Sequence, residues 1–221
     1  MIWAVEAAKV SVQIQHKGWY SRGQLPHFDA PGQVQAITFR LADSLPKAYW
    51  DRLERYAPGS SVRRQNHFQM HLDAGHGSCA LRDPSVASLV ERTLLFFDGE
   101  RYCMLAWVVM PNHVHVLAET MQGYTLASIV QSWKSYTAHR ANDLLDRSGT
   151  FWQKDYYDRY IRDERHLERA VRYVHDNPVL AGLAERPQDW PFSSARYLAA
   201  PDATLHIPWE RQPKQCGGTD T

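Results

Sequence analysis

The sequence predicts a mixed α+β domain with a central antiparallel sheet and helices packed on it. Two observations carry that prediction. Residues 103–110 are apolar on both faces, as a central strand is, and run into Pro111-Asn112. An apolar stretch over 113–118 leaves that turn, so the two make a β-hairpin. Two further stretches carry apolar residues at helical spacing: Leu126, Ile129, Val130, Trp133, Ala141 and Leu144, then Leu167, Ala170, Val171 and Val174.

Taken in order, residues 1–32 are rich in turn formers such as Lys17-Gly18-Trp19 and Ala30-Pro31-Gly32, which predicts an irregular N-terminal arm. Residues 33–200 form the predicted domain. Ile37, Phe39 and Leu41 alternate with Ala36, Thr38 and Arg40, a half-buried strand. Residues 44–56 suggest a short helix stopped by Pro58-Gly59, and 57–82 carry no clear periodicity. Asp83-Pro84 is a capping residue followed by proline at the first helical position, and Val86, Leu89, Val90, Leu94 and Phe97 follow at helical spacing. Thr125 caps a long helix to about residue 145, with Lys134 and Arg140 away from its apolar stripe. Residues 151–161 read as an aromatic strand. The last helix runs from about Glu164 and ends at Asn177-Pro178, because the residue before proline avoids helical angles. Residues 201–221 are poor in core side chains and read as a mobile C-terminal tail.

The chain has 221 residues, 44% hydrophobic and 12% aromatic, enough to bury one core. Its net charge of +1 means that bulk charge does not speak for nucleic-acid binding; only a local basic surface would. Cys79, Cys103 and Cys216 form no even framework and no Cys-x-x-Cys pair, which reads as reduced thiols and a cytoplasmic location. No apolar run reaches the roughly 18 residues that span a bilayer. Residues 1–12 lack the basic start and long apolar run of a signal peptide.

The chemistry-bearing stretch is Trp107-Val108-Val109-Met110-Pro111-Asn112-His113-Val114-His115-Val116-Leu117. Side chains on a strand alternate with period two, so His113 and His115 share one face and Val114 takes the other. Two adjacent imidazoles are half of a divalent-metal site. On the last helix, Tyr173 and Asn177 are four residues apart and share a face on the shoulder of the apolar stripe. At the edge of the sheet they would meet the histidines, Asn177 as a third ligand and Tyr173 as a phenol beside the ion. Two imidazoles and an amide are neutral, so such a site suits Mg²⁺ or Mn²⁺ brought in with a phosphate, and would tolerate Zn²⁺. A phenol with a pKa near 10 is a weak nucleophile unless a cation polarises the phosphate it attacks. Tyr156, Tyr157 and Tyr160 compete for that role, but no amide follows any of them one helical turn later.

His113-Val114-His115 resembles the His-hydrophobic-His element of the HUH single-strand endonucleases, and Met110-Pro111-Asn112-His113-Val114-His115 the form it takes in single-tyrosine transposases. Phe151-Trp152-Gln153-Lys154-Asp155-Tyr156-Tyr157-Asp158-Arg159-Tyr160-Ile161-Arg162, Tyr173-Val174-His175-Asp176-Asn177-Pro178 and Asp189-Trp190-Pro191-Phe192-Ser193-Ser194 resemble the REP-associated branch. Leu25-Pro26-His27-Phe28-Asp29 and Thr38-Phe39-Arg40-Leu41-Ala42 are similar to it too. The resemblance covers roughly residues 20–200. It implies a ferredoxin-like (RRM-like) sandwich with the histidines on the centre of the sheet. It implies metal-dependent cleavage and rejoining of single-stranded DNA through a 5′-phosphotyrosine. The family's nucleophile matches Tyr173, its third ligand matches Asn177, and the substrate would be a hairpin of palindromic repeat DNA with a short flank. A monomer is expected, with a dimer as the alternative, acting at the bacterial nucleoid.

Lys134, Arg140, Lys154, Arg159 and Arg162 are the candidate DNA contacts, within a stretch from Lys134 to Arg172 that holds nine basic and seven acidic residues. Trp19, Trp152 and His27 are weighed as base-stacking rings against a packing role. The competing readings are a non-catalytic hairpin-binding protein and a replication-type nickase, for whose helicase the chain has no room.

Overall fold

The elements follow in the order β1 (Gly18–Arg22), β2 (Leu25–Asp29), β3 (Val34–Arg40), α1 (Pro84–Leu95), β4 (Tyr102–Val109), β5 (His113–Thr120), α2 (Leu126–Leu144), β6 (Tyr157–Tyr160) and α3 (Glu164–Leu180). The computed structural model describes residues 16–22, 25–45 and 71–199. The expected helix over 44–56 and the C-terminal tail lie almost wholly outside them.

β4, β5, β3 and β6 form one sheet in that order, every pair antiparallel. Residues directly opposite one another share a face. Thr38 stands opposite His115 and Arg40 opposite His113, while Val108 faces His115 from the other side. One face therefore carries both histidines in the middle of the sheet. Ile37, Phe39, Val114, Val116, Trp107 and Val109 occupy the other face and pack with residues of α1 and α2 such as Val86, Val90, Ile129 and Trp133. Helix α3 covers the histidine face: Val174, Leu167, Ala170 and Val171 pack against Ala106, Val108, Met110 and Leu117. The four-stranded antiparallel sheet with helices packed on it is the predicted fold.

Local chemistry places the helices. The Asp83 carboxylate accepts from the Ser85 and Val86 amides and Pro84 opens α1. Thr125 caps α2 by accepting from the Ser128 amide, and Asp163 caps α3 by accepting from the His166 amide. A longer-range tie fixes α3 to the sheet. His175 on α3 is hydrogen-bonded to the Ser194 hydroxyl at 2.8 Å, and Trp107 on β4 donates its amide to that same oxygen at 3.0 Å. Trp190 and Phe192 complete the join, each bonded to the backbone of Val109.

Several sequence expectations are corrected. Helix α3 does not end at Asn177-Pro178 but continues to Leu180. A proline in the last turn removes one helical hydrogen bond, and the Ala181 amide still reaches the Asn177 carbonyl at 3.0 Å. The aromatic stretch 151–161 is a strand only over Tyr157–Tyr160; Trp152 makes a single bridge to Leu41. Within the expected irregular arm, β1 and β2 pair as a hairpin. That hairpin is held by contacts no local pattern reveals: His27 hydrogen-bonds Asp158, and the Asp29 carboxylate accepts from the first amide of α2. Of the cysteines, Cys79 is a free, buried thiol, as expected. No helix among the described residues is long and apolar enough to cross a membrane.

Candidate active site

Period-two alternation on β5 brings His113 and His115 to one face, where both are buried. Their Nε2 atoms converge to 3.1 Å and the rings meet edge to face at 81°. Each Nδ1 has its own partner. Asn112 Oδ1 lies 2.7 Å from His113 Nδ1, and the Asn112 amide nitrogen donates to the His76 carbonyl at 3.0 Å. The second bond fixes the amide's orientation, so its oxygen faces His113, Nδ1 carries the proton, and Nε2 presents a lone pair. His115 Nδ1 lies 2.8 Å from the Thr38 hydroxyl, which can accept from it and leave the second Nε2 lone pair available.

Burial disfavours charge on both rings. His113 is held well below the usual histidine range by desolvation, with His115 adding to it, and desolvation takes His115 down to about 3. Both are neutral at physiological pH, the state a metal ligand requires.

Helix α3 brings Tyr173 over the pair. Its ring lies 5.4 Å from that of His115, at 73°. Tyr173 is 39% exposed, yet burial of its hydroxyl leads the causes that push its pKa above the ordinary phenol value; Asn177 draws it down and Asp73 pushes it up. Asn177, one helical turn on, is buried, and neither its oxygen nor its nitrogen makes a hydrogen bond of acceptable geometry. A buried amide with both ends unmatched is costly unless something else meets it.

These residues fit a divalent ion. Two ligands at right angles on an ion with bonds of about 2.1 Å are about 3 Å apart, close to the spacing of the two Nε2 atoms. The unmatched Asn177 amide supplies a hard oxygen. No three His, Cys, Asp or Glu side chains among the described residues stand as a metal-binding group.

The competing tyrosines are placed differently. Tyr156 is buried against Tyr20 and His27, its hydroxyl pushed far above the phenol range by burial first, then by Tyr20 and the nearby carboxylates. Tyr160 packs against Trp19 and Phe28. Tyr157 stands opposite Thr38 on the histidine face, but on β6, two strands from β5.

Among the candidate DNA contacts, Lys134 is corrected: it is buried, and its ammonium donates to the Gln153 and Lys154 carbonyls at 2.7 Å each. Turning into the loop before β6, it holds that loop. Arg140, Lys154, Arg159 and Arg162 are exposed. Of the stacking candidates, Trp152 and His27 are buried, while Trp19 is 63% exposed.

Residues 96–177 match the family described as "Transposase IS200 like". The matched segment contains both histidines, Tyr173 and Asn177. Over those residues the chain is similar to the IS200-like transposases. A REP-associated tyrosine transposase from Escherichia coli K12 is 29% identical over 91 residues, which cover 40% of this chain and 52% of the relative. A Haemophilus influenzae relative is 26% identical over 100 residues, covering 41% and 57%. The chain thus spans about half the length of the curated relatives it matches. A solved structure of a REP-associated tyrosine transposase bound to a REP hairpin shares the fold, with a TM-score of 0.53 at 17% identity over 80% of this chain and 84% of that one. This IS200-like segment ends on α3 at Asn177, so the hairpin β1–β2 and the stretch holding Asp73 lie outside it.

The sequence reading missed three residues that shape the site. Asn112 was seen only as a turn residue, although its place beside His113 was a usable signal. Thr38 carries no signal, because only the register of β3 on β5 brings it to His115. Asp73, whose carboxylate lies 3.6 Å from His113 Nε2, falls in a stretch without periodicity.

Proposed function

We propose that the chain is a metal-dependent single-strand DNA transposase that cleaves and rejoins DNA beside palindromic repeat hairpins, with Tyr173 as nucleophile. The single observation that supports this most is the meeting of the Tyr173 ring with His115, where two neutral imidazoles already converge. His113, His115 and Asn177 would hold Mg²⁺ or Mn²⁺. Bound there, the ion supplies neutralisation of charge on the scissile phosphate.

The chain's own residues do the rest. Asn112 and Thr38 keep the imidazole Nε2 lone pairs aimed inward. Tyr173 Oη attacks phosphorus and releases its proton to water; the P–O3′ bond breaks and the leaving 3′ oxygen takes up a proton. The product is a 5′-phosphotyrosine that keeps the energy of the phosphodiester. A second 3′-hydroxyl reverses these bond changes and joins a new strand.

Arg159 and Arg162 on and beside the edge strand β6, with Lys154 before it, are the proposed phosphate contacts; Arg140 is a weaker one, since Asp143 lies 3.9 Å away. Trp19 offers an exposed ring against Phe28 and Tyr160, with Arg162 5.6 Å over Tyr160, a surface suited to an unpaired base next to the hairpin. The protein would act as a monomer at the nucleoid.

Cleavage of a synthetic repeat hairpin with Mn²⁺ tests the proposal. Tyr173→Phe should abolish nicking while hairpin binding survives. Nicking at the wild-type rate by that variant excludes Tyr173, and binding without nicking by the wild-type chain would favour a non-catalytic hairpin-binding protein.

A further inference from the structure

We infer that one flank of helix α3 is a track for single-stranded DNA, along which phosphates run from Tyr173 past Arg169 and His166 to Arg162 and Arg159. The inference rests on the reading of Tyr173 as the nucleophile for where the track leads, and it adds Arg169 and His166 to the DNA surface. Helical spacing sets the row. Arg169 and His166 precede Tyr173 by one and two helical turns within Glu164–Leu180, so all three share a face. From His166 to Tyr173 is about 10 Å at the helical rise. Arg162 extends the row beyond the helix, and its backbone amide donates to His166 Nδ1 at 3.3 Å. Arg159 stands opposite Ala36, which packs on the α3 side of the sheet, so it faces that side too. Arg159, Arg162 and Arg169 are exposed and His166 is half-buried.

Charge is sorted across α3. All of its acidic side chains, Glu164, Glu168 and Asp176, line a groove on the other flank together with Arg172 and His175. The flank that presents Tyr173 carries cations and no carboxylate. Those cations are not neutralised from elsewhere. Among the described residues Arg159, Arg162 and Arg169 make no ion pair, whereas Arg140, Arg186 and Arg196 do. Their field converges on His166, whose pKa is lowered first by burial, then by Arg159 and Arg169, with Arg162 adding and the capping Asp163 opposing. A row of uncompensated cations leading away from an attacking hydroxyl fits the neighbouring phosphates of the strand under attack. At its far end the row meets aromatic rings. Arg162 lies 5.6 Å over Tyr160, whose ring is 5.8 Å from that of the exposed Trp19. Cations for the backbone and rings for the bases are the two parts of a single-strand binding surface.

The test is binding of an oligothymidylate of about twelve nucleotides to the full chain, without divalent metal, by fluorescence anisotropy across a range of salt. A homopolymer serves because phosphate contacts carry no sequence information. The chains compared are wild type, Arg169→Gln, the double variant Arg162→Gln with Arg169→Gln, and Arg172→Gln. Arg169→Gln should lower the slope of log affinity against log salt by about 0.7, and the double variant by about 1.4, with Tm unchanged. Arg172→Gln, on the acidic flank, should bind as the wild type does. An unchanged slope in Arg169→Gln overturns the inference. So does an equal loss in Arg172→Gln, which would mark overall charge rather than a track, and so does a wild-type chain that does not bind. A failure of the nucleophile reading looks different: the slopes change as stated while Tyr173→Phe nicks a hairpin at the wild-type rate. The track then stands and only its end point moves.

Discussion

The hydroxyl of Thr38 lies 2.8 Å from Nδ1 of His115, across the β3–β5 ladder. This contact orients a buried histidine, because the other ring nitrogen is left pointing at His113. Replacement by valine keeps the shape and removes the partner. Thr38→Val should keep the fold and weaken Mn²⁺ binding by about 10–100-fold. A titration that finds unchanged affinity would remove Thr38 from the site.

Thr38 also shows what a sequence does and does not disclose. The His-x-His alternation and the Tyr173/Asn177 spacing are local periodicities, legible without coordinates, as were β4, β5, α1 and α2. Thr38 acts through strand register, and Asp73 through a loop with no periodic pattern, so neither could be read from its neighbours. Lys134 misled for a related reason: it lies off the apolar stripe of α2, yet the loop before β6 folds over it and accepts hydrogen bonds from it through two carbonyls. Pro178 misled because a helix boundary rule is a bias, and packing of α3 on the sheet outweighs one lost bond.

Asn177 should trade stability for function. It is buried with both amide atoms unmatched, and such groups cost about 1–3 kcal/mol each. Asn177→Leu, similar in size, should raise the stability of the metal-free chain by about 1 kcal/mol or more while abolishing Mn²⁺-dependent cleavage. Denaturant melts read the first and a nicking assay the second. A less stable variant that still cleaves would contradict the ligand role.

Acid should destabilise the metal-free protein in a defined window. Burial lowers His113, His115 and His175, the last with Asp176 opposing. The unfolded chain, with histidine pKa values near 6.5, then binds more protons than the folded one as pH falls below that value. Stability is therefore full above about pH 6.5 and is lost as pH falls, at about 1.4 kcal/mol per pH unit for each group. Asp158, raised mainly by burial, acts in the opposite sense, in the more acidic carboxylate range. Denaturant melts from pH 7.5 to 5 should show a steady decline; a flat profile would mean these rings titrate normally.

Lys134 and the β6 arginines should separate cleanly. Lys134→Met should destabilise the fold, leaving the Gln153 and Lys154 carbonyls without their donor, and leave the salt dependence of hairpin binding unchanged. Arg159→Gln and Arg162→Gln should keep the Tm and reduce the slope of log affinity against log salt by about one each. Equal slopes in all three variants would move the DNA surface elsewhere.

The most direct test is to trap the covalent product. A repeat hairpin oligonucleotide incubated with the wild-type chain and Mn²⁺, digested to peptides and read by mass spectrometry, should carry its 5′-phosphate on the peptide containing Tyr173. A nucleotide on the peptide containing Tyr156, Tyr157 or Tyr160, or hairpin cleavage with no adduct, would contradict Tyr173 as the attacking residue.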